Sequence, residues 1–404
     1  MTGATKTRDL RTGRPLWTDS PGLGLPIRPL TRSLSVDVAI VGAGISGALM
    51  AHELSQDHSV VVLDRRPPLT GSTMASTALL QWEIDLPLTT LAKQIGTAKA
   101  RRAYLRSRRA VDDLARLVAK ERIPCQFKTK SSLYLAGDDH GHRALEAEAE
   151  ARAAIGLDSR YLGPAELRDR FGIERTGAIV STGSASGDPA RLAAGLLRRA
   201  HARGARILSP VEVTQAVSDP DGVTLLTNVG HAVRARSVVF CCGYEFPKAV
   251  PTPGARILST WAMASKPRQR CPAWLREMLV WEASDPYLYL RMTGDGRLIV
   301  GGEDEESADA IQDREKLKRK CATLAAKLEA LLPGVAFEMD YGWAGAFGSS
   351  ATGLPSIGPV ETMDHTWAVM GFGGNGITYS VIASQVVAAE VRGGRDSDAD
   401  LYRP

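Results

Sequence analysis

Val36-Asp37-Val38-Ala39-Ile40-Val41-Gly42-Ala43-Gly44-Ile45-Ser46-Gly47 is the stretch whose reading decides the fold. The first six residues are a short apolar run dense in β-branched side chains, as expected of a buried parallel strand. The next six complete a G-x-G-x-x-G. Ala48 to Leu54 continue in a helical pattern, and Val60-Val61-Val62-Leu63 makes a second strand ending on Asp64. Gly42 permits the tight turn, Gly44 lets backbone approach a pyrophosphate, and Gly47 allows close helix packing. The pyrophosphate would sit at the positive end of the helix dipole. Asp64, 20 residues beyond Gly44, can accept from both ribose hydroxyls of an adenosine. Strand, glycines, helix, strand and acid in register predict a dinucleotide site over Gly42, Ala43, Gly44, Ile45, Ser46, Gly47 and Asp64.

Outward from this core, Arg65, Arg66 and two prolines precede Gly71-Ser72-Thr73-Met74-Ala75-Ser76-Thr77. Small residues let backbone approach a ligand and hydroxyls bond phosphate, so cofactor contact is expected of Ser72, Thr73, Ser76 and Thr77. Either arginine can face a phosphate, and a plain surface turn is the bland alternative. Leu79-Leu80-Gln81-Trp82-Glu83-Ile84-Asp85 then brings two carboxylates and an indole near this loop. They suit a cationic substrate, or are surface acids at a strand end.

The chain has 404 residues, 44% hydrophobic and 24% charged, with a formal charge of +5. That length allows two domains and a large core. Five cysteines, odd in number and without C-x-x-C, suggest neither a disulfide framework nor a zinc site. Residues 1–35 lack an apolar signal core and no apolar run is long enough for a bilayer, so a cytoplasmic protein without a membrane span is expected. Residues 89–122 carry ten Lys/Arg against three acids, with apolar residues at helical spacing. A long helix or helix pair with a solvated basic face is expected. Nucleic acid is not, because Tyr104 is the single aromatic residue there and no series of them interleaves for base stacking.

The lead-in 1–35 reads as irregular, pinned by Trp17 and Leu23. Asp188 and Pro189 have the N-cap and N1 chemistry of a helix running to about Arg203. Val238-Val239-Phe240-Cys241-Cys242-Gly243 is another buried strand, its cysteines expected to act as small hydrophobes. Tyr287–Met292 and Arg297–Gly302 flank Thr293-Gly294-Asp295-Gly296 as a hairpin. Trp367–Met370, a glycine-rich loop over 371–376 and a helix from near Ile377-Thr378 form a second strand–loop–helix. It lacks a following strand and acid, so it is not a second fingerprint, and NAD-linked chemistry is disfavoured.

Taken together, these pieces resemble the D-amino-acid-oxidase-like superfamily of FAD-dependent oxidoreductases, which includes glycine, sarcosine and polyamine-type amine oxidases. The resemblance runs from Asp37 to Gln385. It rests on the fingerprint, Gly187-Asp188-Pro189-Ala190-Arg191-Leu192, Gly204-Ala205 leading to Val213, Cys242-Gly243, Trp343-Ala344-Gly345 with Gly353–Gly358, and Gly371–Gly376. It implies an α/β fold: a Rossmann-type FAD-binding domain (1–92, 175–250 and 340–404) with an antiparallel-sheet α+β substrate domain (93–174 and 251–339). It implies FAD on the residues above, with Arg65, Arg66, Gln81, Val213, Cys242, Gly243, Gly373, Gly374, Asn375, Gly376, Ile377 and Thr378 around it. The activity implied is oxidation of a small primary or secondary amine or amino acid to an imine by hydride transfer to flavin N5. Tyr287, Tyr289 and Arg291 are the expected substrate-side residues. Oxygen, a quinone or an electron-transfer protein is the acceptor. Two departures stand out. Ala346-Phe347-Gly348 occupies the place of a carboxylate-clamping arginine, and Leu298-Ile299-Val300 lacks the lysine that assists oxygen in sarcosine oxidases. A hydroxy-acid or amine dehydrogenase and a non-catalytic flavin-binding subunit remain as alternatives.

Overall fold

The computed structural model describes residues 3–251 and 256–403; residues 252–255 of the expected second module and the first two of the lead-in lie outside them. Strand Leu34–Val41 is the centre of the first sheet. It pairs in parallel with Ala232–Phe240 on one side and Val60–Leu63 on the other, Val38 and Val41 lying opposite Val60 and Leu63. Arg206–Leu208 and then Ile27–Arg28 extend the parallel run. Thr366–Met370 joins in parallel beside Ala232–Phe240. Val38, Ala39 and Ile40 are fully buried, as a strand covered on both faces requires. Helices Ile45–Leu54, Pro189–Ala202 and Gly376–Val391 pack together on this sheet. Asp188 caps the second of them, accepting from the Arg191 N–H at 2.9 Å.

The second sheet is mostly antiparallel, in the order Arg11–Gly13, Met339–Ser349, Arg256–Ser265, Leu298–Glu305, Leu288–Met292, Met278–Glu282, Lys128–Leu135, Ala178–Ser186, Leu79–Leu80. The expected hairpin is present, with Tyr289 opposite Gly301 and Arg291 opposite Ile299. This sheet crosses the boundaries expected at 92, 174 and 339, since it takes strands from 79–80, 178–186 and 339–349. Cross-strand pairing, which local pattern does not encode, recruits them.

Two further readings are corrected. The lead-in is not irregular throughout. Arg11–Gly13 pairs with Met339–Ser349, and Ile27–Arg28 with Arg206–Leu208, each filling a sheet edge that would otherwise be open. Trp17 does pin it, donating Nε1–H to the Ser76 carbonyl at 2.5 Å. The basic segment is a helix pair, Leu88–Ile95 and Thr97–Glu121, broken at Gly96 with φ +87°. Its basic face is not simply solvated: Arg102, Arg106 and Arg109 bind the C-terminal acids Asp396, Asp398 and Asp400. Among the described residues no helix is long and apolar enough to cross a membrane.

Candidate active site

The fingerprint turn is built from its own backbone. The Gly42 N–H donates to Leu63 O at 2.8 Å, and a side chain at Gly47 would run into the Gly42 carbonyl. Asp64 closes the turn from below. Its Oδ2 accepts from the Ala43 N–H at 2.7 Å and its Oδ1 from the Arg66 N–H at 2.9 Å. Enclosure pushes the Asp64 carboxyl pKa up, against these two N–H donors, which favour the charged form. Thr73 reaches the helix start, its Oγ1 accepting from the Ile45 N–H at 2.9 Å. Beside it the buried Ser72 hydroxyl has no hydrogen-bond partner among the described residues.

These groups open onto a cavity of about 480 Å³ that runs from the first sheet to the second. At one end Gly42, Gly44, Ile45, Ser46 and Asp64 line it, with Val213, Cys242 and Gly243 beyond. Ser72, Thr73, Ser76, Thr77 and Gln81 form the middle, with Gly373, Gly374, Asn375, Gly376 and Ile377 across from them in the chain. The two glycine loops meet because their helices touch: Ser46 Oγ and Ser380 Oγ are 2.8 Å apart. Ala43, Gly47 and Thr378 stand behind the wall. Thr378 is turned to donate to the Gln81 carbonyl at 2.7 Å.

Three expected contacts are redirected. Arg65 and Arg66 line the cavity, yet both are paired with the buried carboxylate of Glu245, Arg65 at 2.5 Å. That satisfies the acid and takes the arginines from a phosphate. The Val213 carbonyl already accepts from the Ala4 N–H at 2.9 Å, so the lead-in lies against the end of the cavity that Val213 lines. Arg291 is not a substrate-facing residue. It lies on the same face as Tyr287 and Tyr289, but one step further along the strand, beneath the 72–80 segment. There it is 1% exposed, donating Nε–H to Thr77 O at 2.8 Å and Nη2–H to Gly187 O at 2.9 Å. Burial lowers its pKa to about 10.

Tyr287 and Tyr289 do line the far end, together with Phe347. Register explains the wall they belong to. Tyr134 pairs with Trp281, and Trp281 with Tyr289, so three aromatic side chains form one row across the sheet. Asp304 lies beside Tyr287 and Thr260, where burial pushes its carboxyl up to about 6. Burial and that acid together raise the Tyr287 phenol.

The segment Gln81 to Asp85 is stitched to the C-terminal glycine loop. Asn375 Nδ2 donates to the Glu83 carbonyl, and the Gly374 N–H to Asp85 Oδ2 at 2.8 Å. Glu83 is buried and accepts from the Ser132 and Ser184 hydroxyls. Both acids border the cavity, but Asp85 is the exposed one, and the surrounding protein pushes its carboxyl pKa up. Of the two acids flagged in the sequence, Asp85 is thus the one available to a ligand. Tyr134, Trp281, Arg152 and Asp304 carry no motif. Only pairing register and helix packing bring them here.

The shape fits a flavin adenine dinucleotide. An unpartnered buried hydroxyl lies beside a helix N-terminus, an acid is placed for ribose, and a second set of loop amides lies further along the same cavity. A family model described as "DAO: FAD dependent oxidoreductase" matches residues 37–390. Gamma-glutamylputrescine oxidoreductase of Escherichia coli (strain K12) is 23% identical over 383 residues, which span 91% of this chain and 86% of that protein. Glycine oxidase of Geobacillus kaustophilus (strain HTA426) is 26% identical over 367 residues, 87% of this chain and 92% of that one. The crystal structure of glycine oxidase from Geobacillus kaustophilus aligns with a TM-score of 0.75 at 22% identity, over 90% of this chain and 96% of that chain. L-proline dehydrogenase from P. horikoshii aligns at 0.73 and 18% identity, over 92% and 97%. At such identities these structures bear on the fold alone.

Proposed function

The chain belongs to the DAO family of FAD-dependent oxidoreductases, and from that premise we propose that it oxidises a primary or secondary amine without a neighbouring carboxylate. The observation that carries this reading is the charge pattern of the cavity wall. Asp85 projects into it, Phe347 stands where the resemblance expects a carboxylate-clamping arginine, and Arg291 is committed to backbone carbonyls. The arginines that do line the cavity, Arg65, Arg66 and Arg152, each already pair with a glutamate. A cationic amine is favoured there over an α-amino acid.

In this reading Asp64 would accept from the adenosine ribose, while the amides of Gly44 and Ser46 and the Ser72 hydroxyl would hold the pyrophosphate, the Ile45 N–H being taken by Thr73. The amides of Gly373 and of Asn375 to Ile377, at the positive end of helix Gly376–Val391 and not taken up as the Gly374 N–H is by Asp85, would stabilise negative charge on the ring. When bound, the flavin supplies the two-electron acceptor, taking hydride from the carbon that bears the amine and leaving an imine for hydrolysis. Asp85 draws in the substrate ammonium, and its raised pKa suits it to take up the ammonium proton at Oδ1. Tyr287, Tyr289 and Phe347 hold the alkyl part and exclude water. A discontinuous two-domain division belongs to the same proposal, with the strands at 79–80, 178–186 and 339–349 counted to the second sheet and the wall between the sheets as the catalytic cleft.

Anaerobic mixing of the FAD-loaded protein with a panel of amines and α-amino acids tests the reading. Bleaching of the flavin band by amines and not by amino acids is expected. Bleaching by amino acids alone, or by neither class, overturns it. Oxygen uptake in the same reaction, compared with reduction of a soluble quinone, identifies the acceptor.

A further inference from the structure

We infer that Arg152 is a second recognition point in the substrate arm of this cavity, binding a carbonyl oxygen at the far end of the substrate from the reacting amine. This rests on the amine-oxidising reading above. Arg152 sits on helix His142–Ala154, is 1% exposed and lines the cavity. Its guanidinium lies 5.5 Å from the Trp82 ring centre and 5.7 Å from that of Tyr104. Nε–H donates to Glu148 Oε1 at 2.7 Å, but Nη1 is buried with no hydrogen-bond partner among the described residues.

Glu148 cannot supply what is missing. It also accepts from the Leu88 N–H at 2.7 Å, the Thr89 N–H at 2.9 Å and the Thr89 hydroxyl at 2.9 Å. Four donors share its two oxygens. A buried guanidinium N–H without an acceptor is costly, and a ligand oxygen arriving through the cavity removes that cost.

The neighbouring wall suits the connecting part of such a ligand. Tyr134 and Trp281 stack with centres 5.1 Å apart and both line the cavity. Tyr134, Arg152 and Asp85 all line this one cavity, so the amine-holding acid and the arginine can serve a single ligand. Glu148 and Glu83 both act on Arg152, two carboxylates to one guanidinium. A further anion is repelled there, whereas a neutral acyl carbonyl accepts the free N–H without adding charge. The ligand class is therefore an alkylamine carrying an amide at its other end.

The test is anaerobic titration calorimetry of the enzyme with its FAD already reduced by dithionite, so that binding is read without turnover, using N-acetyl-1,4-diaminobutane, n-heptylamine and 6-aminohexanoate, which place the amine alike and differ at the far end. The acetyl compound is expected to bind about tenfold more tightly than either of the others, the worth of one hydrogen bond to a charged group. Arg152→Met should bring that ratio to about one, and Arg152→Lys should retain part of it. FAD content and a thermal melt check that each variant folds; if the Met variant does not, the wild-type ratio and the Lys variant decide. Equal affinities in the wild type, tightest binding of the carboxylate, or equal weakening of all three ligands by Arg152→Met each overturn the inference. Arg152-dependent binding without bleaching by any amine removes amine oxidation and leaves the subsite. Bleaching by heptylamine and the acetyl compound with no difference in affinity does the reverse.

Discussion

Replacing Asp64 by asparagine separates two jobs that one carboxylate performs. Both oxygens already accept a backbone N–H, from Ala43 at 2.7 Å and Arg66 at 2.9 Å, and each keeps a second lone pair for a ribose hydroxyl. Asparagine keeps the shape but offers one acceptor oxygen, and its amide faces one of those N–H groups. The unmet donor costs about 1–3 kcal/mol of folding stability whether or not cofactor is present. FAD binding loses, in addition, one charge-assisted ribose bond of about 1.5–3 kcal/mol, or roughly 10- to 150-fold in Kd. Fluorescence titration of apoprotein with FAD measures the second effect and thermal melts of the apoprotein the first.

The pH dependence of Asp64 has a fixed sign. Burial raises its pKa in the cofactor-free protein, so the native state holds a proton that the unfolded chain has released. Its stability contribution is full below the ordinary aspartate value and is lost as pH rises through the raised one. Ribose hydroxyls favour the carboxylate, so FAD affinity strengthens as pH rises through that same window. The Asp64→Asn variant should lack this limb. Wild-type FAD affinity in the variant, or persistence of the limb, would refute the reasoning.

Other expectations follow from the same contacts. Asp85→Asn should weaken amine binding and flatten the rise in flavin-reduction rate expected of the wild type as pH climbs through the raised Asp85 pKa; stopped-flow rates across pH check this, and an unchanged profile excludes Asp85 as the amine partner. Arg291→Met strips donors from the Thr77 and Gly187 carbonyls at about 1–3 kcal/mol each, so calorimetry should record a clear fall in melting temperature, and an unaltered melt contradicts the structural role. Gly47→Ala drives a methyl into the Gly42 carbonyl, and the protein should purify without its yellow colour; a full flavin complement in that variant disproves the close helix packing.

The first β-α-β unit was legible because its determinants are local. A β-branched run, glycines needed for backbone geometry and an acid at a strand end are written within thirty residues, and the structure keeps each of them in place. The Asp188 cap, the 287–302 hairpin and the C-terminal strand–loop–helix were legible for the same reason. Arg291 illustrates the limit. Strand alternation put it on the face of Tyr287 and Tyr289, but its burial depends on which segment covers that part of the strand. Arg65 and Arg66 followed the ribose acid in sequence, yet Glu245, distant in the chain, claims both.

The sequence by itself determined the strand, glycine turn, helix and acid-ended strand of residues 36–64, because that unit needs only a short-range pattern of β-branched residues, glycine and helix start. Only the tertiary structure decided what faces the reacting end. Asp85 reaches the cavity through its bond to Gly374, Tyr134 and Trp281 through strand register, and Arg152 through a helix with no marked residues. Those placements arise from pairing and packing between segments tens to hundreds of residues apart, and such contacts leave no periodic trace in any one of them.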